Sequence, residues 1–156
     1  MMNKQAQLQI DQINMRGLVV EVDEETELED FEGSHLRHMQ ILKYFDKVRE
    51  LLPEAAPDQG NENSPYIYRF YMTLGIRSLS DEDAGHPDQN AVSPMLIIQA
   101  DYVIQYLSER KLSEKDCLDF AEYEVYLHLW PYFREVVQSS CSRLGIECLT
   151  VPAYPE

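Results

Sequence analysis

The chain is short of the parts from which most enzymes are built. Six glycines in 156 residues supply no G-x-x-x-x-G-K-[ST], no G-x-G-x-x-G and no G-x-S-x-G, so the backbone cradles that hold phosphates and the strained nucleophile elbow are missing. The three cysteines, Cys117, Cys141 and Cys148, are an odd set without C-x-x-C spacing, which fits neither a disulfide framework nor a zinc site and points to reduced thiols. His35 and His38 have no further ligand at metal spacing. His128 falls on the apolar side of a helical pattern and reads as a packed, hydrogen-bonded side chain rather than a base. No carboxylate pair stands apart from the acidic background as an acid/base couple. Neither catalysis nor a metal or cofactor is expected.

Long apolar runs and basic residues are scarce as well. No stretch approaches the roughly 18 apolar residues of a membrane span, and Met1-Met2-Asn3-Lys4-Gln5 leads into no signal-peptide core. A cytoplasmic location without membrane insertion is therefore expected. Against 28 Asp and Glu stand 13 Lys and Arg, a net charge of −15, which repels phosphate backbones and anionic headgroups. Nucleic acid is thus a poor partner, and a basic or unfolded polypeptide a better one.

What is present is apolar pattern enough for one domain, 1–156, with an ample core. Residues 1–7 and 150–156 read as extended or frayed ends, and 23–35, 53–65 and 80–94 as loops. The first of these loops carries the acidic run Asp23, Glu24, Glu25, Glu27, Glu29, Asp30 and Glu32. Leu8, Ile10, Ile13, Met15, Leu18, Val20 and Val22 suggest a strand whose alternation changes phase once, between Ile10 and Ile13, as a bulge would make it. Tyr66, Tyr68, Phe70, Met72, Leu74 and Ile76 alternate without error. So do Leu96, Ile98, Ala100, Tyr102, Ile104 and Tyr106. Between these strands, residues 36–52 are ambiguous: Leu36, Met39, Leu42 and Val48 suit a helix, whereas Met39, Ile41 and Phe45 suit an irregular strand near 38–45. Joined by loops, the strands are most simply an antiparallel meander with one wet face.

Two helices close the pattern. Ser113 with Asp116 three residues on resembles a capping box, and Leu118, Ala121, Val125 and His128 follow at helical spacing. A second helix is expected from about 130 to 144, with Pro131 in its first turn and Gly145 as its left-handed stop, meeting the first at a kink. Ten tyrosines, five phenylalanines, one tryptophan and six methionines give large, adaptable contact area, suited to holding varied peptides.

The order Leu129-Trp130-Pro131-Tyr132-Phe133-Arg134-Glu135, followed by Arg143, Gly145 and Leu149, resembles the long first helix and following turn of the SecB-type protein-export chaperones. In that family the helix reads approximately L-F-P-Y-A-R-E. Gln9, Ile10, Ile13 and Glu21 match its first strand in spacing, and the family has its second strand where 36–52 falls. The resemblance implies an α+β fold, a four-stranded antiparallel sheet followed by a kinked long helix packed on it. It also implies a homo-oligomer, a dimer or dimer of dimers with helices sandwiched between sheets. The function implied is an ATP-independent holdase for unfolded or precursor polypeptides, with a specific client such as an antitoxin or an exported protein. Trp130, Tyr132, Tyr102 and Tyr106 are the client-binding candidates, and Glu21 and Ile97 the positions that match the family's contact with the export motor SecA. Gly17 stands where that face usually has an aspartate and Gln99 where it has a glutamate. The family's second helix and motor-docking tail have no counterpart after Glu156. The alternative is an adaptor or scaffold that binds one folded partner.

Overall fold

The computed structural model describes residues 8–31, 38–51, 65–147 and 151. Its elements are β1 (Gln9–Val22), a 3-10 turn at Leu28–Phe31, β2 (Met39–Leu51), β3 (Tyr66–Ser78), the short α1 (Asp81–Ala84), β4 (Leu96–Ser108), α2 (Glu114–Glu122) and α3 (Glu124–Leu144). The strands form one antiparallel four-stranded sheet in the order β1-β4-β3-β2. The α+β class and the bent helical layer after the sheet are as expected.

The strict alternation of β3 and β4 has a direct cause in burial. Tyr68, Phe70, Met72, Leu74 and Ile76 on β3 and Leu96, Ile98, Ala100, Tyr102, Ile104 and Tyr106 on β4 are all buried on the face that the helices cover. Their neighbours on the other face are mostly half-buried. Each fully buried large apolar side chain of this row contributes about 1.5–3 kcal/mol.

Three expectations need correction. The meander holds only for β2-β3-β4; β1 lies at the far edge beside β4, with Val22 opposite Leu96 and Gln9 opposite Leu107. Nothing in local pattern forces β1 beside β2, because residues 23–38 form a connection far longer than a tight hairpin turn. Second, the ambiguity over 36–52 resolves to the strand reading, with β2 at Met39–Leu51 longer than the 38–45 that the pattern suggests. A register shift between Phe45 and Lys47 puts Met39, Ile41 and Phe45 on the same side as Val48, and this mixed spacing imitates a helix. β1 likewise changes register twice, at Ile10/Gln12 and at Met15/Gly17; the second shift hides inside the Met15-to-Leu18 step.

The third correction concerns Pro131. It lies inside α3, and the break between the helices falls at Tyr123, with φ −135 and ψ −59. Proline is tolerated there because it lies on the exposed side of the helix, where solvent can satisfy the Leu127 carbonyl left without its donor. Both written-in ends are found. Ser113 Oγ accepts from the Asp116 N–H at 3.0 Å and Asp116 Oδ2 from the Ser113 N–H at 3.3 Å. At the other end Gly145 takes φ 73. Its N–H donates to Ser142 O, and the Ile146 N–H donates to Cys141 O, a Schellman ending.

The sheet and helices share one core. Tyr106 sits at its centre, edge-on to Phe70 at 5.5 Å and to Phe120 at 4.9 Å, while its hydroxyl meets His128 Nδ1 at 2.8 Å. Tyr68 Oη accepts from the Leu112 N–H at 2.7 Å and so anchors the turn from β4 into α2. Cys117 and Cys141 are buried in this core, and burial, with Asp116 adding to it, pushes the Cys117 thiol up to about 11.

Candidate polypeptide-binding surface

The helical layer does not cover the sheet evenly. α3 packs on β4 and α2 on β2, which leaves the edge strand β1 at the margin. The register sets Ile10 opposite Tyr106, Ile13 opposite Ile104, Met15 opposite Tyr102, Leu18 opposite Ala100, Val20 opposite Ile98 and Val22 opposite Leu96. Every one of these β1 residues thus lies on the helix side of the sheet. Their β4 partners are closed off, yet Ile10, Met15 and Leu18 are 40%, 42% and 48% exposed and Ile13, Val20 and Val22 half-buried. The result is an open apolar strip beside α3. At about 3.3 Å per residue it is roughly 40 Å long. Among the described residues no strand pairs with the outer edge of β1, so its backbone donors and acceptors stand next to the strip.

A buried polar group lies beside this strip. Tyr102 is 3% exposed and its hydroxyl has no hydrogen-bond partner among the described residues. Burial, and secondly the Glu135 carboxylate, push its pKa up to about 12. An unpaired buried hydroxyl costs about 1–3 kcal/mol, a cost that a ligand group able to reach it would relieve.

The candidate residues divide. Tyr132 projects from α3 with half of its surface open; elsewhere on the helical layer Leu118, Tyr123 and Leu127 are also exposed. Trp130 and Tyr106 are fully enclosed, as Tyr102 is but for its margin. Trp130 packs on Phe133 at 5.6 Å, on the inner side of α3. These three are core residues as placed, because they belong to the rows that the sheet and helix turn toward each other. The β1 row was missed as a site: periodicity shows which residues share a face, and carries no signal of whether a second layer covers it.

Glu21 and Ile97 come together on the opposite, open face of the sheet, directly across from one another on β1 and β4. Arg77 continues their row on β3 and is held there by Gln40 and by the Gln89 carbonyl. Gly17 lies opposite Asp101, and a Cβ there would be 3.1 Å from Asp101 Oδ2. An aspartate at 17 would bring two carboxylates together, which accounts for the glycine. His38 is paired with Asp81 at 2.6 Å, and His35 lies outside the described residues. Among the described residues no three His, Cys, Asp or Glu side chains are grouped to hold a metal, and no helix is long and apolar enough to cross a membrane.

No family model matches the sequence, and no curated protein matches it significantly. Among solved structures, the chain is similar to the SecB-like chaperone Rv1957 of Mycobacterium tuberculosis in complex with a ChAD peptide from the Rv1956 HigA1 antitoxin. The TM-score is 0.59 at 15% sequence identity, over 95% of this chain and 88% of that one. The fold is SecB-like. At that identity the likeness lies in the sheet and helical layer, so the SecB-like arrangement is here held by largely different side chains.

Proposed function

We propose that this chain is an ATP-independent holdase that takes extended apolar segments of unfolded or precursor polypeptides along β1, acting in the cytoplasm without catalysis. The open apolar row of β1, next to an unpaired strand edge and the unpartnered Tyr102 hydroxyl, carries this reading. Such a strip buries client apolar surface at about 25 cal/mol per Å², while the strand edge can add backbone hydrogen bonds to any sequence. Neither contribution depends on the client's particular side chains. That suits a binder of varied chains, and no bound nucleotide is needed for it. The likeness to a chaperone whose structure holds an antitoxin peptide supports the same class of client here. Exposed apolar side chains of the helical layer, Tyr123 and Leu127 one turn apart among them, are where a second copy would pack, in a dimer or a dimer of dimers. Glu21 and Ile97 are the residues through which a translocase motor such as SecA would touch the open face.

The test is suppression of aggregation of a chemically unfolded protein, at stoichiometric amounts and without nucleotide, by the wild type and by a Met15→Lys/Leu18→Lys variant. The wild type should suppress. The variant, whose changes lie at exposed positions and leave the fold intact by circular dichroism, should lose most of the effect. A wild type that binds one folded partner and ignores unfolded chains would instead make it an adaptor.

A further inference from the structure

The open face of the sheet carries a feature that the client strip does not use. With 28 acidic and 13 basic side chains, most cations of this chain should find a carboxylate, yet four gather around one ring. Arg16 reaches over Tyr71 from β1, its guanidinium carbon 5.3 Å from the ring centroid, and Lys47 reaches it from β2 with its ammonium at 4.9 Å. Arg49 and Arg69 flank the hydroxyl. Burial alone would raise the Tyr71 pKa, but hydrogen bonding to and the charge of Arg49, and then of Arg69, outweigh it and draw the phenol below its ordinary value.

None of the four is within ion-pair distance of a carboxylate among the described residues. Of the acids on these strands, Asp101 Oδ1 accepts from Thr73 at 2.7 Å and Asp11 Oδ2 accepts from Gln105, whose own Oε1 accepts from Arg69 Nε, while Asp46 occupies the bulge before Lys47. Arg16, Lys47 and Arg49 are exposed, and Arg69 is half-buried. Gathering four like charges costs repulsion that no ion pair among the described residues offsets. The cation–π contacts, about 0.5–1 kcal/mol each at such exposure, hold the side chains in place without neutralising them.

We propose that this end of the open face is a docking site for an extended acidic segment of a partner polypeptide. Charge complementarity selects the occupant. The Arg16 and Lys47 charges, 5.3 and 4.9 Å from one ring centroid, stand no more than about 10 Å apart, so carboxylates at i and i+2 of an extended segment, about 7 Å apart, can reach both. The net charge of −15 already counts these four cations, so it opposes a long polyanion such as nucleic acid along its whole length, whereas a short acidic segment confined to the cluster meets less of that repulsion.

Fluorescence anisotropy with a labelled decaglutamate peptide tests this. The wild type should bind it at low salt, progressively less as salt rises. Lys47→Gln/Arg49→Gln should weaken binding at least about tenfold while leaving aggregation suppression unchanged, which separates this site from the client strip. Arg16→Gln, at a bulge on the other edge, should weaken it in the same direction and serves if the double variant does not fold. No binding to the wild type, equal binding by the variants, or equally tight binding of a ten-nucleotide oligo-dT would overturn the assignment.

Discussion

β4 and β1 are neighbours in one sheet, paired along nearly their whole lengths, and turn matching apolar rows to the same side. The β4 row is sealed beneath α3, whereas at Ile10, Met15 and Leu18 the β1 row keeps two-fifths or more of its surface in solvent. Pattern is therefore the same and energetic role opposite. One row holds the chain together, and the other stores apolar surface that something else can bury. An exposed apolar strip of this kind marks a surface that a partner fills; the charged residues of the same strand, Asp11, Arg16 and Glu21, lie on its other face.

The most severe way to break that comparison is to cut into the sealed side. Trp130→Ala empties the largest fully buried side chain and should cost about 3–5 kcal/mol, read as a lowered urea midpoint. Leu18→Ala, on the open row, should cost well under 1 kcal/mol in the same assay. Equal losses would mean that the β1 row is core after all. A subtler variant sits where the two rows meet. Tyr102→Phe deletes a buried hydroxyl that has no partner among the described residues, so it should stabilise the free chain by about 1 kcal/mol and speed release only of a client that used that hydroxyl. A loss of stability would show that the oxygen is satisfied in solution.

The sequence made the sealed side legible and the open side obscure for one reason. Along β3 and β4 a uniform layer of helices imposes a uniform alternation, so Tyr68 to Ile76 and Leu96 to Tyr106 read directly. The capping box at Ser113 and the glycine stop at 145 are local chemistry and read equally well. β1 and β2 are edges, and their register shifts at Asp11, Arg16 and Asp46 scramble the period just where the chain was hardest to interpret. Edge position itself is a property of sheet order, which residues 23–38 do not encode. Aromatic type does not separate contact from core: Trp130, Tyr102 and Tyr106 have the bulk that suits a contact residue, and the structure buries all three. Only Tyr132, four places after the half-buried His128 on α3, escapes outward.

The finest test of the difference uses pH. His128 is half-buried against Tyr106, and burial lowers its pKa from the ordinary 6.5, with Glu124 only partly opposing. In the unfolded chain the ring takes up a proton near its ordinary value, while the folded chain resists until a lower pH. Between those two values the unfolded state binds more protons, so stability rises with pH there and is lost as pH falls below about 6.5. The urea midpoint should therefore decline from pH 7.5 toward 5.5 more steeply in the wild type than in His128→Gln, by a fraction of a kcal/mol to about 1 kcal/mol. The apolar row of β1, Ile10 to Val22, contains no titratable side chain facing the helices, so client capture over the same interval should follow the fraction folded and show no pH step of its own. Identical midpoint curves for the two proteins would place His128 in solvent-like surroundings, and a step in capture without unfolding would mean that titrating groups outside the strip take part in holding the client.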